Sequence, residues 1–66
     1  MDRYELSQLE MSALVAFLEV VERGSFTEAA AALHLSQPTI SQQVQRLERF
    51  VGVQLLNRKS GKVSLT

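Results

Sequence analysis

A mainly α-helical fold, three helices followed by a two-stranded β-hairpin, is what this 66-residue sequence predicts. Three observations carry the reading. Apolar residues recur at helical spacing in three successive segments. Each segment opens on a serine suited to capping, and the first and third close on Gly24 and Gly52. Beyond Gly52 the hydrophobic period drops from about 3.6 residues to about 2, the signature of strands.

In the first segment Leu14, Phe17, Leu18 and Val21 are spaced i, i+3, i+4 and i+7, which places them on one helix face. Ser7 and Glu10 have the spacing of a capping box, with Leu6 and Met11 as its hydrophobic staple. The helix therefore starts between Gln8 and Met11 and ends at Gly24. The second segment opens on another Ser-x-x-Glu box, Ser25 to Glu28, and runs through Ala29–Ala32 to Leu33. Alanine favours the helix, and its small side chain lets a neighbouring helix approach closely. His34 and Leu35 make a short turn. Ser36 then caps the third segment, and Pro38 sits in the first turn, where its missing N–H costs nothing. Leu35 and Ile40 stand at staple positions, and Ile40, Val44, Leu47 and Val51 form the apolar stripe. After Gly52, Leu56, Val63 and Leu65 alternate with polar residues around Ser60-Gly61, predicting strands over Leu55–Arg58 and Lys62–Leu65. The expected core is Leu14, Phe17, Leu18, Val21, Phe26, Ala30, Leu33, Ile40, Val44, Leu47 and Leu56, with Met11 also inward. Helix, helix, helix, hairpin is the order of a winged helix-turn-helix. The domain spans residues 11–66, preceded by an N-terminal extension, residues 1–10.

A chain this short buries only about 60% of its unfolded surface, so the core must be local. Hydrophobic residues make up 45% of it, too many for a disordered tail. It has no cysteine, which excludes disulfides, thiolate metal sites and cysteine nucleophiles. The lone His34 has no second ligand for a metal and reads as a turn residue. No glycine-rich phosphate loop or catalytic constellation is present, so neither an enzyme nor a cofactor is expected. No apolar run reaches membrane-spanning length, and the N-terminus lacks the pattern of a signal peptide, which points to a cytoplasmic protein with no membrane partner.

The formal net charge is zero, but it is unevenly spread. Residues 1–33 hold six acidic against two basic residues, a net −4, whereas residues 34–66 hold Arg46, Arg49, Arg58, Lys59 and Lys62 against Glu48 alone, a net +4. A polyanion would dock on the basic half. The third segment sharpens this. Opposite its apolar stripe fall Pro38, Gln42, Gln45 and Arg49, flanked by Ser41 and Arg46. Near its N-terminus the same surface carries Ser36, Gln37 and Thr39, polar and uncharged. Amides and hydroxyls both donate and accept, as base edges require, and arginines suit phosphate or guanine. The helix N-terminus adds unpaired N–H groups. In a helix-turn-helix this second helix of the pair lies in the major groove. Arg58, Lys59, Ser60 and Lys62 form a basic wing able to reach the minor groove or the flanking backbone. A solvated polar face and a lysine-protected sheet edge are the plain alternatives, but three glutamines outside the first turn against one acid favour DNA. The competing function is a winged-helix protein-interaction module, which would present apolar residues on that helix face instead.

The stretch GSFTEAAAALHLSQPTISQQVQRLERFVGVQLLN, from Gly24 to Asn57, strongly resembles the DNA-binding domain of LysR-type transcription regulators. The resemblance extends from Met11 to Thr66. It implies sequence-specific recognition of double-stranded DNA by a bacterial regulator, with helix 37–51 in the major groove and wing 55–65 on the minor groove or backbone. The residues matching Gln37, Pro38, Thr39, Ser41 and Gln42 approach bases or phosphates in that family, and Arg58 contacts backbone. It further implies dimers or tetramers on pseudo-palindromic promoter sites. A linker helix and a C-terminal domain that senses a small-molecule effector are expected beyond this stretch, so the sequence looks like the DNA-binding part of a longer regulator. Two positions depart from the pattern: Gln42 stands where many members carry Arg, and Gly61 where others carry a basic residue.

Overall fold

The computed structural model describes residues 7–59 and 62–66, with the backbone alone for Arg58, Lys59 and Lys62. Helix α1 spans Gln8–Arg23, α2 spans Phe26–Leu33 and α3 spans Gln37–Val51; strands β1, Leu56–Lys59, and β2, Lys62–Leu65, follow. The strands pair antiparallel, with Leu56 opposite Leu65, Arg58 opposite Val63 and Lys59 opposite Lys62. The three-helix and hairpin order is the one the sequence predicts. Strand β2 has the expected bounds, and β1 lies one residue later than expected, at Leu56–Lys59 rather than Leu55–Arg58. The Leu6 half of the first staple, the Ser60-Gly61 turn and most of the N-terminal extension lie outside the described residues.

Local chemistry sets the helix limits. The Ser7 hydroxyl accepts from the Glu10 N–H at 3.2 Å and the Glu10 carboxylate accepts from the Ser7 N–H at 3.0 Å, a complete capping box. Ser25 and Ser36 cap α2 and α3 through the hydroxyl alone, accepting from Glu28 N–H at 3.1 Å and Thr39 N–H at 3.2 Å, so only this half of the expected Ser25–Glu28 box is formed. Gly24 and Gly52 close α1 and α3 at φ of 69° and 84°, the left-handed region that side chains resist.

His34 does the same for α2 without being glycine: its φ is 58°. Its N–H bonds Ala31 O at 3.3 Å, and the Leu35 N–H bonds Ala30 O at 2.9 Å, the paired bonds of a Schellman turn. A side chain in this region costs about 1–2 kcal/mol, partly offset by glycine's greater entropy when unfolded. His34→Gly is therefore expected to raise Tm by about 2–8 °C in a thermal melt. An unchanged or lower Tm would show that the turn carries no such strain.

The core consists of Ala13, Ala16, Val20, Phe26, Ala29, Ala30, Ile40, Val44, Leu47 and Leu56, with Phe17, Leu33 and Val63 packed partly against it. All three helices pack on one another, and β2 reaches α1. Phe26, Ala30, Ile40, Val44, Leu47 and Leu56 are buried as the sequence predicts, and Leu14, Phe17 and Leu33 are half-buried. Four assignments need correction. Leu18, Val21 and Met11 of α1 are exposed, and so is Val51 at the end of α3. The buried face of α1 is instead Ala13, Ala16 and Val20, and Ala16 and Val20 share one cluster with Ala29 and Ala30 of α2 and Ile40 and Val44 of α3. Val51 is the last residue of its helix, and Leu56 of the wing is buried in its place. Leu65 is exposed too, so the inward alternation of the hairpin stops at Val63.

Candidate nucleic-acid interface

Helix α3 is divided lengthwise. Ile40 and Val44 are completely buried and Leu47 nearly so, which fixes the rotation of the helix about its axis. The opposite surface carries Pro38, Gln42, Gln45, Arg46 and Arg49, all exposed; Gln37, also exposed, stands at the helix start on the side of the buried stripe. Thr39 and Ser41, at its flanks, are half-buried. The packing of one side thus decides which side chains the other offers, and they are amides and guanidiniums. Of the three internal glutamines only Gln42 and Gln45 lie on this surface. Gln43 is turned sideways and half-buried, its Oε1 shut from solvent with no partner among the described residues.

The first turn of α3 is less available than its sequence suggests. The Ser36 hydroxyl is taken by Thr39, accepting its N–H at 3.2 Å and sharing a bond with its Oγ1 at 2.8 Å. The Ile40 N–H bonds Ser36 O at 3.1 Å, and Pro38 has no N–H. Among the described residues this leaves the Gln37 N–H as the unbonded donor of the turn. Ser36 and Thr39 therefore hold the helix start in place, and an anion there would meet one N–H rather than several.

Strand β1 carries Arg58 and Lys59 and β2 begins at Lys62, so the wing backbone brings these three basic positions together across the hairpin. Ser60, the remaining expected wing contact, lies outside the described residues, as do the side chains of Arg58, Lys59 and Lys62. Sequence reasoning missed Glu48. It counted this residue as the one acid on a basic surface, yet Glu48 is half-buried and its Oε2 accepts the Leu55 N–H at 2.9 Å and the Leu56 N–H at 3.2 Å. Its isolation among basic residues, one turn before Gly52, was the available signal.

At the other end of the chain Arg23 bonds Glu19 at 2.6 Å, an i,i+4 pair on α1. That hydrogen bond, with the charges of Glu19, Glu22 and Glu28 nearby, raises the Arg23 guanidinium above its ordinary range. None of the described helices is long and apolar enough to cross a membrane.

This arrangement has close counterparts. The chain is 46% identical over 61 residues to the HTH-type transcriptional regulator PtxR of Pseudomonas aeruginosa, covering 92% of this chain and 20% of that protein. It is 47% identical over 58 residues to the regulator BenM of Acinetobacter baylyi, covering 88% of this chain and 19% of that one. The chain thus spans about a fifth of the length of these curated relatives. Among solved structures, a complex of the BenM DNA-binding domain with catB site 1 DNA superposes with a TM-score of 0.80 at 45% identity, over 91% of this chain and 65% of that one. A complex of the CbnR DNA-binding domain with DNA gives 0.79 at 44% identity, over 83% and 63%. The family model for the bacterial regulatory helix-turn-helix protein, lysR family, matches residues 11–66. The chain belongs to that family.

Proposed function

We propose that this chain reads double-stranded DNA in a sequence-specific way, with α3 in the major groove and the wing, residues 55–65, on the minor groove or the phosphate backbone. The observation that carries the reading is the split of α3: Ile40, Val44 and Leu47 are locked in the core while Gln42, Gln45, Arg46 and Arg49 stand out on the opposite surface. A helix held in that rotation offers amide groups to base edges and cations to phosphates. The BenM and CbnR domains, 45% and 44% identical, have been solved on DNA, which supports the same docking here.

The proposed contacts are Gln37, Pro38, Thr39, Ser41, Gln42, Gln45 and Arg46 on α3 and Arg58, Lys59, Ser60 and Lys62 on the wing, with Ser36 acting through its cap on Thr39. Arg49, exposed on the same surface, joins them. The chain acts by binding, without catalysis, in the bacterial cytoplasm. In a regulator as long as its relatives this domain would pair with a second copy on a pseudo-palindromic promoter site, its half-sites about 34 Å apart. A small-molecule effector would act through a separate C-terminal domain.

Selection of bound duplexes from a random pool tests the reading. Enrichment of a defined half-site, with binding that weakens steeply as salt rises, is the expected result. Retention of the pool without enrichment would count against base reading, and no retention at low salt would count against DNA altogether.

A further inference from the structure

Glu48 does more than balance charge. It is the only acidic residue of the basic half of the chain, and its carboxylate grips the backbone where the wing begins. Nearby bonds, Gln54 Nε2 to Leu56 O at 2.7 Å, Thr66 N–H to Leu55 O at 3.0 Å and Thr66 Oγ1 to Gln54 O at 2.9 Å, stay within the wing and its connector. Among the described residues, the two bonds to Glu48 are the hydrogen bonds that join α3 to the wing. Leu56, 2% exposed, also anchors the wing, but burial of an apolar side chain is non-directional. Hydrogen bonds to one carboxylate oxygen impose orientation as well. Glu48 stands on α3 between the buried stripe and the exposed surface, one turn beyond Gln45 and next to Arg49. The same rigid stretch of helix therefore presents the DNA-facing side chains and holds the wing.

We infer that Glu48 is a positioning residue for DNA binding: by holding the Leu55 and Leu56 N–H groups against α3, it sets where the wing meets the duplex relative to the helix in the major groove. The inference rests on the DNA-binding reading above. It predicts two separable effects of Glu48→Ala in this 66-residue chain. In the free protein, checked as folded by circular dichroism, amide exchange at Leu55 and Leu56 should quicken by about tenfold or more beyond any change at Ala16 and Val20. On the duplex recovered from the random pool, hydroxyl-radical protection by the wing should be lost and the salt slope should fall by about one to two units. Methylation protection in the major groove should persist. Glu48→Gln keeps an acceptor oxygen at the same place and should stay within about threefold of the parent in exchange and retain both protections. The inference is overturned if Glu48→Ala quickens exchange at Leu55 and Leu56 no more than at Ala16 and Val20, if it loses both protections together, or if Glu48→Gln behaves like Glu48→Ala. A parent chain that protects no DNA overturns the DNA-binding reading instead, and the two failures are distinct because exchange is read without DNA.

Discussion

Ile40→Ala is expected to remove about 2–5 kcal/mol of folding free energy, a large share of what a domain of this size has. Ile40 is completely buried and among the largest side chains that are. Truncating a buried isoleucine to alanine costs about 2–5 kcal/mol, the upper end applying where the surroundings cannot collapse into the space. In the cluster that holds Ile40, Ala16, Ala29 and Ala30 have no side chain to swing inward, which limits the collapse. A domain of this size has about 3–10 kcal/mol in total. Val51→Ala, at the far end of the same stripe, should change stability by less than about 0.5 kcal/mol, since Val51 is 47% exposed. Urea unfolding of the two variants beside the parent gives the comparison. Equal losses would mean that the stripe is buried along its whole length, as its spacing alone suggests, and would contradict the packing described above.

That contrast marks where spacing stops being informative. The ends of the helices were legible because they depend on local chemistry: Ser7, Ser25 and Ser36 accept from N–H groups three residues on, and Gly24 and Gly52 take left-handed conformations. The rotation of α3 was legible because its apolar and polar residues occupy opposite sides. Helix α1 offers no such contrast. It carries Leu9, Met11, Val15 and Leu18 on surfaces that stay exposed, besides Ala13, Ala16 and Val20 that do not. Reading it by the largest residues selects Leu18 and Val21, whereas packing against Ala29, Ala30, Ile40 and Val44 selects Ala16 and Val20. Which stripe wins is a property of the neighbouring helices. The isolation of Glu48 among basic residues was a signal, but its partners were illegible for a related reason, since they lie seven and eight residues away across a helix end. No periodicity encodes that.

Gln42 and Arg58 should fail in different ways when removed. Gln42 is exposed on α3, on the side away from Ile40 and Val44, and an amide there can make a bidentate pair with adenine N6 and N7. Gln42→Ala should cost about 1–3 kcal/mol on the cognate duplex, roughly fivefold to 150-fold in Kd, concentrated at one base pair. Binding to scrambled DNA should hardly change, because non-specific affinity comes from phosphate contacts. Arg58 belongs to β1, opposite Val63, within a basic hairpin that includes Lys59 and Lys62. A phosphate contact from the wing carries no base information. Arg58→Ala should therefore weaken cognate and scrambled duplexes by the same factor and lower the slope of log K against log salt by about one unit. Titrating both variants on both duplexes across a salt series separates the roles. A Gln42→Ala protein weakened equally on the two duplexes, or an Arg58→Ala protein weakened only on the cognate one, would reverse the assignment: the wing would then read sequence, and α3 would serve as the electrostatic anchor.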